Sequence, residues 1–499
     1  MRKVVDKILL FVTVGLLLVL QSCNKYLEKE PDNRAKLTDP KKVSQLLGSA
    51  YPLASYMAFN EAMSDNAGDK GAGDAEVTNR DPYYFQDVHS IDQDSPDNYW
   101  NACYAAIAAA NEALQACNNA PDPAAYTQQK GEALVARAYA HFMLVTLYSK
   151  PYDAATASSN PGIPYVTEPE TIVIKQYDRK TVAYVYDMIE KDLLSGLPLI
   201  NDASYTIPRY HFNVSAAYAF AARFYLYKKD YQNAVNYAAL AVPDFLPNLR
   251  KWNTAYQTYG LNNLPVQYQK TSEPANLLLV TCSTIYNYGN RFATYRYGLT
   301  PFILRVILQT PLQVTGGDWS FVSAYVGSQT NPAIPKFNYT DFASTIPGGN
   351  TGLPYGTVSL FTVEEVLFNK AEANAYLGNY DAAINDLNLY MSTRLTGITP
   401  GSLPVNNQVT QAKMLSHYNN RLNIQQALVS FILELKRAEF IHEGMRWFDV
   451  LRYNIPITHI FAGSGGAAIG SITIDATDKR RQLKLPDAVK LSGITDLNR

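Results

Sequence analysis

The sequence predicts a mainly α fold in which helical hairpins build a superhelical body, with long loop insertions and a minor share of β. Three observations carry this reading. Apolar residues recur at three- and four-residue steps in one segment after another, each opened by a capping residue and several closed at Gly or Pro. Two of the helix pairs repeat one short pattern around their turns. Two long stretches rich in Gly, Pro, Asp and Tyr break the helical periodicity and hold what β-like runs there are.

The elements follow in chain order. Asp39-Pro40 supplies an N-cap and a first-turn proline for a helix running to about Tyr56. Asn98 to Cys117 is an Ala-rich helix, favoured because Ala loses no side-chain freedom on folding. Asp122-Pro123 opens a third helix, with Ala133, Ala136, Ala140, Leu144 and Leu147 at mixed three- and four-residue steps. Thr181 to Leu194 is a fourth, closed before Pro198. Ser215 to Lys228 and Tyr231 to Ala241 form a hairpin turned at Lys229-Asp230. Thr362-Val363-Glu364-Glu365 reads as a capping box for a helix ending at Leu377-Gly378, with a partner helix from Tyr380 to about Ser392. The last long helix spans Ile424 to Glu443, and Gly444 loosens it before Trp447 to Arg452. Leu226-Tyr227-Lys228-Lys229-Asp230-Tyr231 and its following Ala234 resemble Leu377-Gly378-Asn379-Tyr380 and its following Ala382-Ala383, as in a tetratricopeptide unit. Asp65 to Asp97 and Asn253 to Asn350 are the two long loops, the second with a β-like run at Leu277 to Cys282; loops of this length in a compact fold are usually functional.

The 499 residues carry 43 Lys+Arg against 44 Asp+Glu, so no basic field exists to neutralise phosphates and a nucleic-acid partner is not expected. Tyr is over-used, with 37 copies, and its apolar ring with a polar tip suits cores and amphipathic ligand surfaces alike. Arg2, Lys3 and Lys7 precede the apolar run Ile8 to Leu20, which is shorter than the ~20 residues a spanning helix needs and suits a secretory signal. The run ends at Leu20-Gln21-Ser22-Cys23, which resembles a bacterial lipobox, so residues 1–22 read as a lipoprotein signal peptide and Cys23 as the acylated residue. Cys103 and Cys117 sit fourteen positions apart on one predicted helix, too far to bridge, so at most one of them pairs with Cys282.

Catalytic signatures are thin. His442-Glu443 begins like HExxH, but the partner position is Arg446, so no zinc pair exists; Asp449 and Arg452, with Arg446 in reach, read as charge-satisfied packing. Gly463-Ser464-Gly465 opens a GxGxxA run with no helix after it, and neither a P-loop nor a GxSxG elbow occurs. Asp92, Asp94 and Asp97 are the one weak candidate for Ca²⁺, and no other cofactor is expected.

A series of blocks then resembles the SusD/RagB family, surface lipoproteins of the Bacteroidetes. They are Cys23-Asn24-Lys25-Tyr26-Leu27-Glu28-Lys29-Glu30-Pro31, Trp100 with Tyr104-Ala105-Ala106-Ile107 and Asn111, and Arg137-Ala138-Tyr139 with Phe142 and Leu144. Phe361 to Leu367, Ala371-Glu372-Ala373, and Arg437-Ala438-Glu439-Phe440 leading into Glu443 to Asp449 and Arg452 complete the series. Lys436 departs from the Glu that the family prefers there. The resemblance implies an N-terminal region over 23–250 and a C-terminal region over 251–499 carrying ligand loops. It implies a lipid anchor in the outer membrane facing the cell exterior, and a SusC-like TonB-dependent transporter as partner. It also implies non-catalytic capture of oligosaccharide, or in some members peptide. Sugars offer apolar faces and a hydroxyl fringe, so rings beside polar side chains are the expected site. On chemistry, the candidates are Tyr83, Tyr84 and Phe85 in the first loop, and Tyr286, Tyr288, Arg291, Tyr295, Tyr297 and Trp319 in the second. The Tyr-x-Tyr spacing of Tyr295 and Tyr297 puts both rings on one side of an extended segment. Two other classes compete: a helical glycoside hydrolase, which needs two carboxylates ~5–9.5 Å apart, and a scaffold of hairpins that binds protein alone.

Overall fold

The structure is a computed structural model and describes residues 37–172, 174–337, 339–344, 352–463 and 466–498. The expected signal peptide at 1–22 and the expected lipidation site Cys23 therefore lie outside the described residues. Helices α1 (Pro40–Leu47), α2 (Met57–Met63) and α3 (Val77–Tyr83) precede the long pair α4 (Pro96–Asn119) and α5 (Thr127–Tyr148). Then come α6 (Val182–Gly196), α7 (Val214–Lys228) and α8 (Tyr231–Ala241). The second long connection holds α9 (Asn263–Tyr268), α10 (Arg291–Thr294) and α11 (Pro301–Thr315). The C-terminal part is α12 (Val363–Tyr376), α13 (Tyr380–Ser392), α14 (Gln411–His417), α15 (Ile424–Glu439) and α16 (Met445–Arg452).

Local chemistry sets most of these boundaries. Asp39, Ser95, Thr181, Asn213, Asp230, Thr362 and Asn423 each accept a backbone N–H of the first turn they cap. The Thr362 box is only half made, because the Glu365 carboxylate turns away to Arg223. The reciprocal box forms at Asn423 and Gln426 instead. Helix α5 is buried on every side from Ala133 to Tyr148, which is why its apolar steps follow no single stripe.

Four expectations differ from the structure, the first being that the helix from Ile424 ends at Glu439 rather than Glu443, with a turn before α16 opens at Met445. The helix from Pro40 ends at Leu47 rather than near Tyr56, and α2 is a separate element. The Asp65–Asp97 segment is not all loop but contains α3. The Asn253–Asn350 segment contains the fifteen-residue α11, capped by Thr300 with Pro301 in its first turn.

The two hairpins that share a sequence pattern are neighbours in space. α7 packs on α8, α8 on α12 and α12 on α13, so four helices form one continuous layer across a long insertion. Lys229 adopts left-handed φ 65° at the first turn, the conformation Gly378 takes with φ 80° at the second. The strands β1 (Gly68–Asp69), β2 (Asn276–Ser283), β3 (Tyr297–Gly298), β4 (Ala324–Tyr325), β5 (Pro332–Ala333), β6 (Tyr339–Ser344) and β7 (Gly352–Thr362) form small antiparallel sheets, the largest in the order β2-β7-β6. β8 (Ile457–Ala462) and β9 (Ala468–Ile474) make a separate hairpin. One buried cluster reaches from Val43 to Leu497 and so crosses the division at 250/251.

Candidate functional site

The block that could suggest catalysis is instead a buried ion network. Arg394 bridges Glu439 (2.8 Å) and Glu364 (3.1 Å), and Glu364 also binds Arg250 (2.7 Å), with all four side chains fully buried. Glu443 takes Lys336 (2.7 Å) and the Tyr268 hydroxyl (3.0 Å). Burial works to raise the Glu439 carboxyl, but Arg394 outweighs it and holds the group below its ordinary value. Asp449 is held by Lys436 at 2.5 Å, so the residue that departs from the family pattern supplies its counter-charge. Arg452 pairs with Asp449 as expected and also with Glu372, whereas Arg446 reaches Asp65 at 2.7 Å rather than Asp449. Every carboxylate of the block is thus engaged, and such networks fix register more than they add stability. Gly444 has φ 70°, and a Cβ there would stand 2.9 Å from the Met57 backbone, so this turn needs glycine to let α2 approach.

Three segments far apart in the chain meet to form the loop face. β1 pairs with β3, Asp74 bridges Tyr295, and the Arg296 N–H donates to the Asp74 carbonyl (2.8 Å). Asp69 accepts from Arg296 (2.7 Å) and from the Ala462 N–H (2.9 Å), tying in β8. Burial opposes it, yet these bonds lower the Asp69 carboxyl below the usual range. Asp94 pins the start of the second loop: its carboxylate accepts from the Thr284 hydroxyl (2.6 Å), the Ile285 N–H (2.8 Å) and the Tyr286 N–H (3.1 Å). Burial still pushes it up to about 6. Asp92 bonds Ser90, and among the described residues no group of three or more His, Cys, Asp or Glu is placed to hold a metal ion.

The predicted rings divide sharply. Tyr83, Phe85, Tyr286, Tyr295 and Tyr297 are all buried and present no free face, a correction to their expected role. Tyr83 lies flat on His459 (centroids 4.0 Å) and stacks on Tyr297 (4.6 Å), while Phe85 also stacks on His459 at 4.9 Å. Both ring nitrogens of His459 are tied to the carbonyls of Tyr83 and Ser64, and burial lowers its pKa. Tyr295 and Tyr297 are buried in different clusters, the first beside Tyr286 and Glu76 and the second beside Tyr83 and Tyr84.

Tyr84, Tyr288 and Arg291 remain at the surface. Tyr84 is half-buried, stacked on Phe461 (4.5 Å, 22°), with its hydroxyl 3.4 Å from that of Tyr297. Tyr288 is 38% exposed, and Arg291 lies 6.0 Å from its ring centre while pairing with Glu76 (3.2 Å) at the start of α3. Arg80, on the same helix, is exposed beside Asp81. Phe461 was not among the predicted positions, and only the contact of β8 with Tyr84 reveals it.

Trp319 is half-buried and used for packing. Its Nε1–H donates to the Leu308 carbonyl (2.6 Å) and its ring stacks on Phe321 (5.0 Å, 20°). The backbone on either side pairs with residues 394–396 next to the ion network. Cys103, Cys117 and Cys282 are all free and buried; burial raises the three thiols, Cys117 to about 11.

Comparison with known proteins matches residues 25–226 to a family described as starch-binding and associating with the outer membrane, and residues 360–488 to the SusD family. SusD-like protein P38 of Formosa agariphila is 22% identical, over 89% of this chain and 90% of its own. A SusD-like carbohydrate-binding protein from Bacteroides vulgatus superposes with a TM-score of 0.64 at 17% identity, covering 91% of this chain and 96% of that one. A laminarin-binding SusD-like protein gives 0.55 at 17% identity, over 83% and 92%.

Proposed function

The chain belongs to the SusD/RagB family, and from that premise we propose that it captures oligosaccharide at the cell surface without altering it and passes it to a SusC-like TonB-dependent outer-membrane transporter. Acylation of Cys23 anchors it in this reading. Among the described residues no helix is long and apolar enough to cross a membrane, in keeping with attachment by lipid. The observation that carries the reading is the loop face, where Tyr84 with Phe461 and Tyr288 with Arg291 stay at the surface beside Arg80 and Glu76. Rings take the apolar sugar face, and guanidinium and carboxylate groups take the hydroxyls. The engagement of Glu439, Glu443 and Asp449 in buried ion pairs supports binding over hydrolysis. The laminarin-binding relative makes a β-glucan the first ligand to try.

The test is titration of the protein with laminarin, starch, cellulose fragments and a peptide panel. Tyr84→Ala and Tyr288→Ala should each weaken glycan binding at least tenfold. Binding to peptides alone, or release of new reducing ends from any glycan, would overturn the proposal.

A further inference from the structure

We propose that a tyrosine-lined cavity among the helical hairpins is a second carbohydrate site, shaped for one uncharged sugar ring at the end of a longer chain. The cavity measures about 210 Å³ and is lined by Tyr152, Tyr186, Tyr227, Tyr231, Tyr376 and Tyr453. It lies where the α7–α8 turn, the end of α12, the end of α16 and the segment after α5 converge, and it shares no residue with the loop face. Its volume falls below the ~300 Å³ at which sites begin to enclose drug-sized ligands, so a single ring is the fitting occupant.

The walls suit a sugar. Tyr231 and Tyr376 stack at 4.3 Å and 5°, and Tyr152 lies 4.7 Å from Tyr186, giving broad ring surfaces. Two cations line the wall: Arg452 lies over Tyr227 (4.5 Å) and Tyr453 (5.2 Å) and is paired with Glu372 and Asp449, and Lys229 is paired with Asp153. A charged ligand would find no free counter-charge there. The Tyr227 hydroxyl has no hydrogen-bond partner among the described residues although the residue is only 8% exposed. A hydroxyl on the cavity wall with no protein partner is free to bond a hydroxyl of a ligand there.

The cavity continues into a cleft of about 580 Å³ that shares Pro151, Tyr152, Lys229 and Arg452 with it and is edged by Asn454 and Gln482. Lys229 and Asp153 pair at 2.8 Å beside the junction, so the entrance is also balanced in charge. Asn454 and Gln482 along this path read hydroxyls, and the cleft's charged residues are of both signs, Lys150 and Lys479 against Asp478 and Asp496. The occupant is therefore the terminal residue of a neutral glycan, with the remainder of the chain along the cleft.

The inference goes beyond the loop face and does not depend on it. Its test uses the protein carrying Tyr84→Ala and Tyr288→Ala, titrated calorimetrically with laminaribiose, cellobiose and maltose. At least one disaccharide should still bind. Tyr231→Ala should weaken that binding tenfold or more, and Tyr227→Phe, which keeps the packing and removes only the hydroxyl, three- to tenfold. Absence of binding by all three sugars, or affinities indifferent to Tyr227→Phe, would overturn the assignment. So would a preference for an uncharged proline-rich peptide.

Discussion

Trp319→Ala separates a packing role from a ligand role. The indole stacks on Phe321, which in turn meets Trp252 edge-on at 4.9 Å, and Nε1–H holds the Leu308 carbonyl in the middle of α11. Removing a fully buried Trp costs about 3–5 kcal/mol. Half-burial reduces that to about 2, and loss of the hydrogen bond adds about 1. Unfolding entropy near 2.1 cal/mol/K per residue gives roughly 1 kcal/mol per degree for a chain of this size, so Tm should fall by about 3 °C. Calorimetric unfolding and glycan titration on the same preparation decide the matter. A Tm within one degree of the parent together with lost affinity would refute this reasoning and make Trp319 a ligand platform.

Other predictions address the network and its turn. Burial pushes Glu61 up to about 7, against an unfolded value of ~4.3, so its proton contributes stability below pH ~4.3 that is lost as pH rises through 7. Relative to the parent, Glu61→Gln should therefore gain about 3 kcal/mol between pH 4.5 and pH 8, read from denaturant midpoints; an equal difference at both pH values would contradict this. Lys436→Glu would place a carboxylate against Asp449 and Glu372 and should cost about 3–5 kcal/mol, or prevent expression of folded protein. Gly444→Ala should destabilise by about 1–3 kcal/mol in the same unfolding measurement, since its Cβ would meet the Met57 backbone at left-handed φ.

Much of the helical framework could be read from local sequence because caps act within a turn. Asp39, Thr181, Asp230 and Asn423 bond N–H groups two or three residues ahead, whatever lies beyond. Helix α11 carried the same signs at Thr300 and Pro301, but its surroundings of Gly, Pro and Tyr read as loop, and Pro311 lies within it. The half-made box at Thr362 shows the limit: Glu365 satisfies its local pattern equally well, yet the buried charge of Arg223 is the stronger claimant. In the terminal block, the charged residues were visible and structural packing was the right expectation for Asp449 and Arg452. The partners Arg394, Lys336 and Asp65 come from other parts of the chain and left no sign at the motif.

The same division holds for the loop face. The amino-acid order alone determined that the chain is mainly helical and that its long insertions gather aromatic side chains. Only the tertiary structure decided which rings meet water: β1 and β8, drawn from opposite ends of the chain, close over Tyr83 and Tyr297, Asp74, Glu76 and Tyr286 engage Tyr295, and Tyr84, Tyr288 and Phe461 stay at the surface. Alternation and capping are set by bonds within a few residues, whereas burial is set by whichever distant segment fills the space above a ring.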